Sequence, residues 1–156
     1  MAAALERVHA TAIAAGSRAA LIFGASGSGK SDLALRCLTL PQSALTPHVA
    51  HLIADDQVML ERNGLQLIAS APPALLGLIE VRGLGILTLK PAPATPVVLA
   101  VELQGPGLTE RFPDPWPFKD FLGLKVPVLR LWAFESAAAQ KVLVALSCGT
   151  LPQVAL

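Results

Sequence analysis

Residues 19–40 read AALIFGASGSGKSDLALRCLTL. Five apolar residues, Ala19 to Phe23, lead into GASGSGKS at 24–31, and a stretch with Leu33, Cys37 and Leu40 at helical spacing follows. The pattern G-x-x-x-x-G-K-[ST] is met by Gly24, Gly29, Lys30 and Ser31. Strand, glycine-rich loop, helix is the order that makes an anion nest. The loop Gly24-Ala25-Ser26-Gly27-Ser28-Gly29 can turn its N–H groups inward, and the helix adds the positive end of its dipole. Lys30 is placed to reach the β- and γ-phosphates of a nucleotide, and Ser31 to put its hydroxyl on magnesium. The alternative is a glycine-rich turn that matches by accident. With glycine at about 7% of residues, a chance match in a chain this long is on the order of half a percent.

A phosphate loop that works with magnesium needs a carboxylate nearby, and VAHLIADD (49–56) offers two at the end of an apolar run. Asp55 and Asp56 are adjacent, so in extended backbone they point to opposite sides and divide two tasks. One orients the metal shell while the other faces the substrate. A polar strand end entering a loop is the plainer reading. Next, VMLERNGLQLIAS (58–70) places two strand-like runs around Asn63-Gly64, a hairpin signal. In APPALLGLIEVRGLGILTL (71–89), Glu80 and Arg82 fall on one side of an extended segment, with Gly83 and Gly85 after them. Opposite charges in an apolar run are costly to bury unless paired or used. They are either a structural ion pair or a carboxylate for metal beside a guanidinium for phosphate.

Composition bounds the rest. The chain has 156 residues, 53% of them hydrophobic and 15% charged, with a net charge of +1. That argues for one folded domain over 1–156 and against disorder. No basic block suggests a nucleic-acid partner. The weakly charged stretch 64–79 is broken by Gln66, Pro72 and Pro73, too polar for a membrane span. MAAALERVHA lacks the order of a signal peptide. A cytoplasmic protein without membrane attachment is the expectation. Cys37 and Cys148, far apart, read as buried small hydrophobes in a reducing compartment.

GASGSGKS, IADDQV and above all APPALLGLIEVRGLGI resemble the catalytic domain of the bacterial HPr kinase/phosphorylase family. The Glu-x-Arg-Gly-Leu-Gly-Ile run, with Arg82, Gly83 and Gly85, resembles that family's signature. The likeness extends upstream to His9, fifteen residues before Gly24, and covers roughly residues 8–89. It implies an ATP- and Mg²⁺-dependent kinase that phosphorylates a serine of HPr, the carrier protein of the sugar phosphotransferase system. Many members also run the reverse phosphorolysis with inorganic phosphate. By the same resemblance Ser31 and Glu80 are magnesium ligands, with Asp55 beside them. Asp56 is the carboxylate that takes the serine proton, and His9 is an active-site histidine next to the aspartate pair. Arg111, in LTERFPDP, takes the place of a further active-site arginine. Family members often assemble as hexamers, so a homo-oligomer is implied too.

Two departures qualify the likeness. Only eight residues precede His9, which reads as a short form without the family's additional N-terminal domain. VPVLRLWAFESAAAQKVLVAL keeps a strand and a helix but lacks the family's Gly-Arg-Asn turn, a region linked to phosphorolysis. FPDPWPFKDFLGLKV, with Trp116, Phe118 and Phe121, reads as a packed loop in preference to a docking surface. Strands are expected near 7–14, 18–23, 49–54, 57–62, 65–69, 78–82, 86–89, 96–102 and 127–132, with helices at 30–40 and 135–146. KPAPATP (90–96) reads as a surface connection. The fold expected is α/β, a strand-rich core around the phosphate loop. By the resemblance, that core is akin to phosphoenolpyruvate carboxykinase. Two other functions stay open: a small-molecule kinase on the same core, and a nucleotide-binding regulatory module without chemistry.

Overall fold

Ala12 and Ile13 lie next to each other in one strand, yet they belong to two different cores. That division organises the protein, described here over residues 4–148 of a computed structural model. The elements in chain order are β1 (Leu5–His9), β2 (Thr11–Ala15), β3 (Arg18–Phe23), α1 (Lys30–Thr39), β4 (Ala50–Ala54), β5 (Gln57–Asn63) and β6 (Gln66–Ser70). A 3₁₀ turn (Pro73–Leu75) precedes β7 (Leu78–Val81), β8 (Gly85–Thr88), β9 (Thr95–Leu103), β10 (Phe118–Phe121), β11 (Leu124–Leu131) and α2 (Ala138–Ser147). The mixed α/β, strand-rich class agrees with the expectation from sequence.

β9 is shared between two sheets. β3 runs parallel to it along one edge, and the other edge is divided between antiparallel β6 and parallel β11. One sheet continues from β3 through β2 to β4, and the other from β6 through β5 to β1. Side chains of a strand alternate between faces, so each face of the β2–β3 pair needs its own cover. Ile13, Ile22, Leu52, Leu99 and Val101 pack against Leu33 and Cys37 of α1 and Val142, Leu143 and Leu146 of α2. Ala12, Leu21, Ile53 and Ala100 face the second sheet, meeting Val58, Leu60 and Leu67. Burial on both faces is why β3 reads as an unbroken apolar run.

The strand expected over 7–14 is two strands. The chain bends at Ala10, so β1 pairs with β5 in one sheet and β2 with β3 and β4 in the other. The β4–β5 segment makes the same crossing at Asp55-Asp56, and the Ala10 N–H donates to the Asp56 carbonyl at 3.2 Å to hold the two crossings together. The β5–β6 hairpin forms, but its loop is Gly64-Leu65, one residue beyond the Asn-Gly signal. Gly64 at φ 62° takes the first loop position, where a two-residue turn of the II′ kind requires glycine. Within FPDPWPFKDFLGLKV (112–126), β10 replaces part of the expected loop: Phe121 is buried and stacks on Phe23 at 5.6 Å between centroids, whereas Phe118 is exposed. No helix among the described residues is long and apolar enough to cross a membrane.

Candidate active site

Four strands bring their carboxyl ends to one rim. β3, β9 and β11 are mutually parallel, and β4 matches them because each of β3 and β4 is antiparallel to β2. The crevice at such carboxyl ends is where open α/β sheets bind ligands. Gly24 follows β3, Asp55 follows β4, and Thr11 opens β2 at the same end.

The loop is shaped by its glycines. A Cβ on Gly24 would collide with the Ser28 hydroxyl, and one on Gly29 would come within 2.9 Å of Ala133 and the Phe134 ring. Gly29 also has φ 101°, a left-handed value that L side chains rarely adopt, at the N-cap of α1. Lys30 is almost fully buried and folds back across the loop, its Nζ donating to the carbonyls of Gly24 (2.8 Å) and Ala25 (3.2 Å). Its charge is thereby held against the loop backbone. Arg36 of α1 donates to the Ala133 carbonyl and pins the segment after β11 to the helix.

Asp55 and Asp56 have separate environments. Asp55 is buried, and its Oδ1 accepts from the hydroxyls of Ser31 (2.6 Å) and Thr11 (3.0 Å). Its Oδ2 accepts from the Glu80 N–H at 3.1 Å. Asp56 is exposed at φ 67°, and across it the Gln57 N–H donates to the Asp55 carbonyl at 2.8 Å, which makes a γ-turn with a left-handed centre. That turn is rare and strained. It projects the Asp56 carboxylate out of the sheet corner, 3.3 Å from Nδ1 of His9.

Of the sequence candidates, the Ser31 hydroxyl meets the Asp55 carboxylate, Glu80 reaches Asp55 through its backbone N–H alone, and His9 joins Asp56. Glu80 is exposed, so the cost of burying its charge does not arise. No ion pair joins it to Arg82 among the described residues, and Arg82 lies beyond β7 in the turn to β8. Arg111 is exposed over the Phe112 ring and lines a cleft with Glu110, Trp116, Arg130 and Lys141 along β11. No hydrogen bond or ion pair among the described residues joins it to the loop or the aspartates. Thr11 went unnoticed in the sequence because a lone threonine among alanines carries no motif. Cys37 is buried as expected, and burial pushes its thiol up to about 12 against the opposing pull of the Arg36 charge. Cys148 is half-buried.

Among the described residues no three His, Cys, Asp or Glu side chains gather as a metal cage. Mg²⁺ does not need one. It is commonly held by one or two carboxylates together with substrate phosphates and waters. Ser31 and Asp55 at the mouth of the loop fit that mode.

A glycine-rich loop running into a helix, with a serine and a strand-end aspartate in contact, stands at the strand ends of an α/β fold. The comparisons then give the lineage. Residues 1–106 match the family model of the HPr Serine kinase C-terminal domain, and the chain belongs to that family. It is 35% identical over 121 residues to HPr kinase/phosphorylase of Cupriavidus necator, covering 71% of this chain and 35% of that protein. The protein of the same name from Mycoplasmopsis pulmonis is 40% identical over 83 residues, 53% of this chain and 24% of that one. The chain thus spans about a third or less of the length of these relatives. In fold it is similar to the HPr(Ser) kinase/phosphatase of Coxiella burnetii, with a TM-score of 0.70 and 23% identity over 90% of this chain and 87% of that one.

Proposed function

We propose that this chain is an ATP-dependent protein serine kinase acting on HPr or an HPr-like phosphocarrier, and that 1–156 works as one catalytic domain. The observation that carries the proposal is the meeting of Ser31 with Asp55 at the loop mouth, beside an exposed His9–Asp56 pair. Phosphoryl transfer needs positioning and charge neutralisation more than covalent chemistry. The loop amides and Lys30 hold the phosphates in this reading. Ser31 and Asp55, with Glu80 next to them, would hold Mg²⁺, which when bound neutralises charge on the transferring phosphoryl group. Asp56 takes the proton of the attacking serine hydroxyl, and His9 orients that carboxylate. A carboxylate projected into solvent on a strained turn favours a catalyst over a regulatory module that has lost its chemistry. The likeness to a phosphoenolpyruvate carboxykinase core belongs to the same reading, whereas the absent Gly-Arg-Asn turn argues against the reverse reaction with inorganic phosphate. Arg111 and Arg82 stay outside the chemistry as drawn.

The test is incubation with ATP, magnesium and purified HPr, followed by mass spectrometry of the carrier. A phosphorylated serine is expected with the parent, and none with Lys30→Ala, which removes the charge folded over the loop. Unmodified carrier after incubation with a parent protein that binds ATP would overturn the kinase assignment.

A further inference from the structure

Beyond the phosphate loop, the rim of the sheet carries an aromatic step. Residues 132–134, Trp-Ala-Phe, directly follow β11, on the far side of β3 from Asp55. Phe134 is 52% exposed, and its ring edge abuts Gly29. Trp132 meets Phe134 edge to face at 6.1 Å between centroids. The Arg36 bond to the Ala133 carbonyl fixes the segment against α1. An exposed phenylalanine held this firmly beside a phosphate loop presents a preset face. Next to it, the Gln104 N–H donates to the Leu131 carbonyl at 2.9 Å, which places Gln104 at the start of the step. The Gln104 side-chain Nε2 is buried without a hydrogen-bond partner among the described residues.

We propose that Trp132 and Phe134 form the platform on which the base of the bound nucleotide stacks, with Gln104 supplying a donor to the nucleoside. The inference rests on the reading of 24–31 as a nucleotide phosphate site. Its geometry follows from the order of strands. The phosphate chain is anchored at its terminal end by Ser31 and Asp55, toward β4. The nucleoside must then leave the loop in another direction, and the carboxyl ends of parallel β9 and β11 border the loop on the opposite flank. Those ends are where Gln104, Trp132 and Phe134 stand. Stacking also accounts for the exposure of Phe134, an apolar ring left half in water at a ligand-binding rim.

Calorimetry with two probes separates the platform from the loop. ATP carries a base, and inorganic tripolyphosphate carries the same phosphate chain without one. Base–aromatic stacking is lost when the ring is cut back to alanine. Phe134→Ala is therefore expected to weaken ATP about tenfold while tripolyphosphate affinity stays at the parent value. Phe134→Trp, which keeps a stacking face, should recover most of the ATP affinity. Equal loss of both probes in Phe134→Ala would mean that the ring only supports Gly29, and would overturn the platform. So would unchanged ATP affinity in that variant. A parent protein that binds neither probe, or binds tripolyphosphate as well in Lys30→Ala as in the parent, would sink the phosphate-site reading itself, and the platform with it.

Discussion

Asp56 combines a left-handed backbone with an exposed carboxylate, and the two properties can be separated by substitution. Asparagine enters the left-handed region more readily than other non-glycine residues. Asp56→Asn therefore keeps the turn and removes only the proton acceptor. Its melting temperature should stay within about 2 °C of the parent, as for most surface changes. The rate of transfer to HPr should fall roughly 10²–10⁴-fold, the range for a positioned acid or base. Asp56→Val is the complement: a β-branched residue at this φ should lose stability by about 1–3 kcal/mol as well as activity. Rapid-quench rates and thermal melts measure both. A parent-like rate in Asp56→Asn would remove Asp56 from the chemistry and return Asp55 as the candidate base.

At the scale of elements, segments whose sequence pattern reflects one local environment were legible. β3, α1 and β9 lie within a residue or so of their expected ranges, because apolar period and glycine punctuation act locally. The break at Ala10 was not legible. Nothing in RVHATAIAA marks the point where pairing passes from β5 to β4, since that bend is imposed by two sheets meeting. β10 was hidden for a related reason: the prolines just before it, Pro113, Pro115 and Pro117, resemble a loop, and its strand character comes from pairing with β11. The hairpin is tied to the core through Phe121, buried between sheets and stacked on Phe23, the residue before the phosphate loop. Phe121→Ala should cost about 3–5 kcal/mol. Urea unfolding followed by tryptophan fluorescence and by circular dichroism should give coincident transitions at a lowered midpoint. Fluorescence unfolding ahead of circular dichroism would show that the hairpin is not part of the main cooperative unit.

Across the whole molecule, Asp55 is the point where separate parts converge. Its carboxylate joins β2 through Thr11, α1 through Ser31 and β7 through the Glu80 N–H, beside the crossing between sheets. The sequence reading found Ser31, Asp55 and Glu80 through motif and family likeness. It missed Thr11, and it placed Glu80 and Arg82 in an apolar setting, whereas both are exposed although Ile79 of the same strand is fully buried. Burial of a short strand depends on what packs over it, and no spacing rule records that. The correction changes what substitution should do. Asp55→Ala leaves the buried Thr11 hydroxyl without its acceptor, at about 1–3 kcal/mol, so the protein should melt about 2–12 °C earlier even without ligand. Glu80→Gln keeps the side-chain volume and the N–H that Asp55 accepts, and breaks no ion pair to Arg82. Its melt without ligand should match the parent within about 2 °C. If Glu80 helps to hold Mg²⁺, the extra stabilisation that magnesium adds to nucleotide-bound protein should shrink in Glu80→Gln, while the shift from nucleotide alone persists. Melts of parent and both variants, alone, with nucleotide and with magnesium-nucleotide, decide the matter. A full magnesium-dependent shift in Glu80→Gln would exclude the metal role, and an early melt without ligand would assign Glu80 to the fold.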